Sequence, residues 1–230
     1  MTKIIQNKEY CLFIDLDDTL YNEVDFVISG YNHIYKWILK NLNIDIQYKP
    51  NKKDVINNIE NHIQTFIKKN YFEEKYLVKF IKLMREHKPN ISLSNSNLKK
   101  LKVISKTFKN LVLVTNGRSI SQRNKLQSLN IKMFFKEILI SEEFGLKKPD
   151  RIFYEKIIEK YKNYNLIFIG DNIDIDLITP INKGLKTILI RNLNNRIHKL
   201  NSNHPSIKEI DLIYDEFSLI DEKKITNLFS

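Results

Sequence analysis

Short apolar runs that alternate with helical segments constrain the fold of this chain more than any other feature of its sequence. From about residue 97, helical stretches precede the runs NLVLVT, EILI, NLIFIG and KTILI, and the run IDLIY lies near the end of the chain. Bounded runs of this length predict buried strands. Strands that alternate with helices form a parallel sheet covered on both faces. The pattern therefore predicts an α/β fold with a doubly wound parallel sheet, whose first strand is residues 10–16.

A helical insert is predicted between the first two strands. The intervening segment of about 75 residues has apolar residues on one helical face over 23–41, 53–69 and 72–86. This spacing predicts three amphipathic helices. The stretch EHKPNISLSNSN then ends the helical pattern. We therefore expect an α/β core domain made of residues 1–20 and 96–230, with a helical domain of residues 21–95 inserted into it.

Composition is that of an ordinary globular protein and argues against two classes of partner. The chain is 42% hydrophobic and 28% charged. It has no apolar stretch near the roughly 18 residues of a membrane span and no signal-peptide layout, which predicts a cytoplasmic protein without a membrane partner. The formal charge of +11 is spread along a chain without alanine. This spread suggests a coding bias rather than a binding patch, and we expect no nucleic-acid partner. Whether the charge is functional and what the oligomeric state is both stay open.

One cysteine, Cys11, lies in the first apolar run. A single cysteine excludes an internal disulfide bond. Its apolar neighbours predict that it is a buried core residue.

Four polar segments follow strands at their carboxyl ends. DLDDT (residues 15–19) ends the first strand, TNG (115–117) ends the second, KKP (147–149) follows the third after a short loop, and GDNIDID (170–176) ends the fourth. The carboxyl ends of parallel strands share one edge of a sheet, where ligands bind in open α/β folds. The four segments therefore predict a single site.

In their order and spacing, these segments resemble the motifs of the haloacid dehalogenase (HAD) superfamily, whose members are mostly Mg²⁺-dependent phosphatases. The matching residues are Asp15-Leu16-Asp17-Asp18-Thr19, Thr115-Asn116-Gly117, Lys148-Pro149 and Gly170-Asp171 through Asp176. The stretches ISEEFGLKKPDRIF and GDNIDIDLITPINKGLKTILI are especially similar to the subfamily with a helical cap after the first motif. The resemblance implies a Rossmann-like core and identifies the helical insert with that cap.

The resemblance also implies a role for each residue of the site. Asp15 would be the nucleophile that forms an aspartyl-phosphate. Asp17 would protonate the leaving oxygen and then activate water. Thr115 and the backbone amide of Asn116 would hold phosphate oxygens. Lys148 would neutralise the charge shared by Asp15 and the phosphoryl group.

A Mg²⁺ cofactor follows from the same resemblance. Asp15, the backbone carbonyl of Asp17 and Asp171 would bind the ion, because Mg²⁺ prefers oxygen ligands. Asp176 would support the site or bind the metal through water. The acids then crowd the end of the first strand because a cation and a phosphoryl group meet there. Without the cation and Lys148, Asp15 and Asp17 would repel each other and the phosphate.

The predicted function is a Mg²⁺-dependent phosphatase for a small phosphate ester, either a sugar phosphate or a nucleotide monophosphate. Asp17 argues against a dehalogenase, because a halide leaves without a proton. A phosphomutase with the same residues and a non-catalytic regulatory protein on the same fold remain alternatives. The helical insert is expected to select the substrate, with Tyr21 and the Arg85–Lys88 stretch near the mouth of the site.

Overall fold

One parallel sheet organises the protein. The computed structural model describes residues 9–193, 196–198, 200–201 and 203–229. Within these residues, six strands pair in the order β3-β2-β1-β4-β5-β6, and every pairing is parallel. The strands are β1 (Tyr10–Ile14), β2 (Asn110–Thr115), β3 (Glu137–Ile140), β4 (Asn165–Gly170), β5 (Lys186–Ile190) and β6 (Leu212–Tyr214). The predicted doubly wound α/β fold is confirmed.

The central strand β1 is buried on both faces, which explains its unbroken apolar run. Leu12 and Ile14 belong to one hydrophobic cluster, whereas Cys11 and Phe13 belong to a second cluster on the other face. Successive side chains alternate between the faces of a strand, so each cluster takes every second residue. The prediction that Cys11 is buried is confirmed, since its exposed fraction is 0%.

Helices occupy the segment between β1 and β2. The first four are α1 (Glu23–Leu42), α2 (Lys52–Asn57), α3 (His62–Lys69) and α4 (Tyr76–Glu86). Helix α1 packs closely on α4 at Gly30, where an added Cβ would lie 2.0 Å from the sulfur of Met84. The division of the chain into core and inserted domains at residues 20 and 96 stays a prediction.

The prediction of one continuous helix over residues 53–69 is wrong. Helix α2 ends before Asn58, whose backbone leaves the helical region at φ −144° and ψ 42°, and a 3-10 turn at Ile59–Asn61 precedes α3. The side-chain amide of Asn58 donates to the hydroxyl of Thr65 at 2.7 Å. Asparagine side chains can form hydrogen bonds that compete with those of a helix. The spacing of the apolar residues is the same on both sides of Asn58, so it did not reveal this break.

The remaining helices connect or flank the strands. They are α5 (Asn95–Thr107), α6 (Ser119–Leu129), α7 (Ser141–Phe144), α8 (Arg151–Lys160), α9 (Ile178–Asn182) and α10 (Glu222–Asn227), with 3-10 turns at Lys132–Phe134, Pro205–Glu209 and Phe217–Leu219. A single π-helical turn, Ile173–Leu177, directly precedes α9. Among the described residues, no helix combines the length and apolar character needed to cross a membrane.

Candidate active site

A buried ammonium group lies between two carboxylates at the carboxyl edge of the sheet. The Nζ atom of Lys148 is 2.5 Å from Oδ1 of Asp15 and 2.6 Å from Oδ1 of Asp176, and it donates to the carbonyl of Val114 at 3.0 Å. Burial alone would lower the pKa of Lys148, but the two carboxylates raise it well above its ordinary value. Lys148 is therefore charged and fully hydrogen-bonded.

Three carboxylates, two of them bonded to Lys148, form a candidate cation site. One oxygen from each of Asp15, Asp171 and Asp176 lies within 4.8 Å of the others, and all three residues are buried. Burial, together with the neighbouring carboxylates and despite Lys148, raises the pKa of Asp15 to about 7. Burial, with the carboxylates of Asp176 and Asp15, raises the pKa of Asp171 well above its usual range. An all-oxygen set with excess negative charge suits Mg²⁺, which would offset the repulsion.

The turn after β4 brings Asp176 back to the sheet edge. At the end of that strand, a Cβ on Gly170 would lie 2.5 Å from the Cβ of Asp176, so a larger residue would displace this aspartate. The backbone N–H of Asn172 donates to Asp176 Oδ2 at 3.0 Å, and the hydroxyl of Tyr154 donates to its backbone carbonyl at 2.8 Å. These contacts fix both the side chain and the backbone of Asp176.

The carboxylate of Asp17 lies outside the cation site and has its own partners. Lys125 donates to both of its oxygens, at 2.8 and 2.9 Å, while Gln122 donates at 2.9 Å and the Tyr21 hydroxyl at 2.5 Å. Burial raises the pKa of Asp17, but the charge of Lys125 and these hydrogen bonds outweigh burial and lower it overall. Tyr21, expected near the mouth of the site, is instead buried against Asp17.

Gln122 and Asn116 organise the side of the site that follows β2. Nε2 of Gln122 lies 2.6 Å from Oγ1 of Thr115 and 2.8 Å from the carbonyl of Asn116. The side chain of Asn116 bonds to the backbone of Lys148 rather than facing the site. A phosphate contact from Asn116 would therefore come from its backbone N–H, as the sequence predicted.

All seven predicted site residues line one cavity of about 410 Å³. They are Asp15, Asp17, Thr115, Asn116, Lys148, Asp171 and Asp176. A second cavity, of about 430 Å³, lies beside Ser94 and Asn97, but among the residues that the structure describes no Lys or Arg lines it. A phosphoryl group requires positive charge or N–H donors, so we assign the candidate site to the first cavity.

Comparison with known proteins matches this arrangement. A sequence model of haloacid dehalogenase-like hydrolases matches residues 12–190, which carry all four motifs. The chain belongs to the haloacid dehalogenase-like hydrolase family.

Two curated relatives have the same name. The chain is 30% identical to the glyceraldehyde 3-phosphate phosphatase of Methanocaldococcus jannaschii over 78% of its own length and 83% of that protein. It is 24% identical to the glyceraldehyde 3-phosphate phosphatase of Methanothermobacter thermautotrophicus, over 92% of this chain and 97% of that protein. The crystal structure of the HAD-hydrolase YfnB from Bacillus subtilis, bound to magnesium, superposes with a TM-score of 0.65 at 18% identity, covering 97% of this chain and 100% of that one. That likeness shows the HAD fold.

The HAD site of this chain includes residues that sequence reasoning missed. Arg196 donates to Oδ2 of Asp171 at 2.9 Å and is itself buried, so a guanidinium already contacts one expected metal ligand. Glu23, at the start of α1, and His198 also line the cavity. Burial, with the nearby Asp17 carboxylate, raises the pKa of Glu23 to about 8. None of these residues belongs to a motif, and only tertiary contact brings them to the site.

Proposed function

We propose that this HAD protein is a Mg²⁺-dependent phosphatase that hydrolyses a small phosphorylated metabolite. The main support is the buried trio Asp15, Asp171 and Asp176, of which Asp15 and Asp176 bond to Lys148. Asp17 lies two residues beyond the proposed nucleophile. The relatives named glyceraldehyde 3-phosphate phosphatase support a small phosphate ester as substrate.

In the proposed first step, a carboxylate oxygen of Asp15 attacks phosphorus, and the bond between phosphorus and the leaving oxygen breaks. The negative charge of the bound phosphate would raise the lowered pKa of Asp17. Asp17 would then give a proton to that oxygen, so the product leaves as a neutral alcohol. In the second step, Asp17 takes a proton from water while the water attacks phosphorus of the aspartyl-phosphate. Inorganic phosphate leaves and Asp15 is regenerated as a carboxylate.

The remaining residues would stabilise negative charge during both steps. Lys148 would offset charge on Asp15 and the phosphoryl oxygens, while the Thr115 hydroxyl and the Asn116 N–H would donate to those oxygens. Asp15, Asp171 and the backbone carbonyl of Asp17 would hold Mg²⁺, with Asp176 in support. When bound, the ion would supply positive charge shared by the nucleophile and the phosphoryl group.

The substrate is proposed to be a sugar phosphate or a nucleotide monophosphate. The cavity of about 410 Å³ suits a small ester better than a macromolecule. The core residues can recognise only the phosphoryl group and the metal, which every phosphate ester offers. Discrimination would therefore come from the inserted domain, residues 21–95, which we propose acts as a cap on the core domain of residues 1–20 and 96–230.

The test is phosphate release from p-nitrophenyl phosphate and from a panel of sugar phosphates and nucleotide monophosphates. We expect release with Mg²⁺, no release after chelation with EDTA, and none from the Asp15→Asn variant. Isomer formation without phosphate release would favour the phosphomutase alternative. Absence of both activities across the panel would favour the non-catalytic alternative, and activity that survives complete chelation would contradict the metal assignment.

A further inference from the structure

Lys125 is a buried lysine that contacts Asp17 and the inserted helices at once. Only 3% of the residue is exposed. Its ammonium group donates to both oxygens of Asp17, lies 3.5 Å from Oε1 of Glu23, and sits 4.4 Å from the ring centroid of Phe26. Asp17 follows the central strand, whereas Glu23 and Phe26 belong to the first turn of α1. A single cation therefore joins the proposed acid to the base of the insert.

Contacts with Asp17 and with α1 compensate for the burial of the Lys125 charge. Removing a lysine from water is costly unless it is paired and hydrogen-bonded. Burial lowers the pKa of Lys125, but Asp17 and Glu23 outweigh burial and raise it above its ordinary value. The Phe26 ring face adds a cation–π contact. Any movement of α1 away from the core would thus break contacts that the ammonium also uses to hold Asp17.

Other residues of α6 also contact both Asp17 and the inserted helices. On one side, Gln122 donates to Asp17. On the other, the Ser121 hydroxyl donates to the carbonyl of Arg85 at 2.8 Å, and the amide of Asn124 donates to the carbonyls of Glu86 and His87 at 3.1 Å. These carbonyls lie at the end of α4, where a helix lacks internal partners for them. Helix α6 therefore binds Asp17 and the end of α4 through neighbouring residues.

We infer that Lys125 is a positioning residue, which couples the orientation of the Asp17 carboxylate to the seating of the inserted helices on the core. The inference rests on the proposed phosphatase function, because it concerns the group that protonates the leaving oxygen. The leaving group would lie between Asp17 and the insert. Because of this coupling, Asp17 would be oriented for proton transfer only when the insert is seated over the substrate. Catalysis depends on such orientation of the reacting groups.

Leaving-group dependence separates this role from a merely structural one. p-Nitrophenolate leaves with little protonation, whereas the alkoxide of glycerol phosphate needs a proton from Asp17. In Lys125→Met, which keeps the length of the side chain but not its charge, kcat/KM should fall about ten-fold further for glycerol phosphate than for p-nitrophenyl phosphate. Lys125→Arg should restore most of the wild-type ratio. Arg123→Ala, which lies on the same helix as Lys125 and removes a half-exposed pair with Glu143, should leave the ratio between the two substrates unchanged.

Equal losses on the two substrates in Lys125→Met would overturn the inference. A second measurement does not depend on turnover. It still tests the coupling if the wild type releases no phosphate and the phosphatase proposal fails separately. Spin labels on cysteines introduced at Tyr71, between α3 and α4, and at Ile152, on α8, report the distance between insert and core; both side chains are exposed. Lys125→Met should broaden the distance distribution, and Lys125→Arg should not. An unchanged distribution in folded Lys125→Met would also overturn the coupling.

Discussion

The side-chain amide of Asn116 is hydrogen-bonded to the backbone of Lys148 in both directions. Its Nδ2 donates to the Lys148 carbonyl at 2.8 Å, and its Oδ1 accepts from the Lys148 N–H at 2.9 Å. Asn116 follows β2, whereas Lys148 lies in the loop between α7 and α8. The pair therefore attaches that loop to the strand end and sets where the Lys148 ammonium meets Asp15.

Replacing Asn116 with alanine should lower kcat by about 10- to 100-fold, because displacements near 1 Å at a catalytic group cost rates of this order. The fold should persist, since only one loop loses its attachment. Steady-state kinetics with p-nitrophenyl phosphate and a circular dichroism melt measure the two effects. Asn41→Ala serves as the control, because the exposed Asn41 bonds only within its own helix. A wild-type kcat in Asn116→Ala would contradict this account of Lys148.

The Asp15→Asn variant should be inactive, yet no less stable than the wild type when metal is absent. Burial raises the pKa of Asp15 to about 7. A carboxyl group whose pKa is higher in the folded protein lowers the stability as the pH rises from its pKa in the unfolded chain to its pKa in the folded protein. At pH 7.5 the charge of Asp15 therefore destabilises the metal-free protein. A neutral amide removes that cost, while Lys148 keeps Asp176 and the Val114 carbonyl as partners.

Thermal melts in EDTA and in Mg²⁺ measure this balance. In EDTA, the melting temperature of Asp15→Asn should equal or exceed that of the wild type by a few degrees, an amount typical of about 1 kcal/mol. Added Mg²⁺ should raise the wild-type melting temperature more, because the variant has lost a ligand. A variant that melts well below the wild type in EDTA would show that the carboxylate stabilises the metal-free fold.

The sequence predicted the sheet and the motif residues because both are encoded locally. Each strand is a bounded apolar run, and each motif residue follows one, so parallel topology alone brings Asp15, Thr115 and Asp171 together. Gln122 and Lys125 were missed because both are polar residues on α6, where they look like solvated helix positions until the contact with Asp17 is known. Arg196 lies outside every motif and reaches Asp171 only through tertiary structure.

The Arg196→Met variant should bind Mg²⁺ more tightly than the wild type. Nη2 of Arg196 lies 2.9 Å from Oδ2 of Asp171, so the guanidinium competes with a cation for that carboxylate. A hydrogen bond between charged groups is worth about 1.5–3 kcal/mol, and its removal should improve the dissociation constant by about ten-fold. Isothermal titration calorimetry measures this without turnover. Arg191→Met is the matched control, because Arg191 pairs with Asp215 on the surface. Weaker binding in Arg196→Met would mean that Arg196 supports the metal site instead.

Acid should destabilise the inserted helices through His62. Burial lowers the pKa of His62 to about 4, and its Nδ1 lies 2.7 Å from the hydroxyl of Tyr31. In the unfolded chain a histidine titrates near pH 6.5. Below that pH His62 is protonated in the unfolded chain, whereas in the folded protein it becomes protonated only near pH 4. The stabilising effect of a neutral His62 is therefore complete above pH 6.5 and is lost as the pH falls towards 4.

Urea unfolding at pH 7.5 and pH 5.0 tests this contribution. Between these values the wild type should lose about 1 kcal/mol more stability than His62→Gln, which has no proton to bind; the partial exposure of His62 reduces the effect below its full linkage value. His33→Gln is the control, because His33 lies on the same inserted segment but is exposed. Its loss between the two pH values should match that of the wild type. If His62→Gln and wild type lose equal stability, His62 takes up a proton as readily in the folded protein as in the unfolded chain, and the pH sensitivity of the insert lies elsewhere.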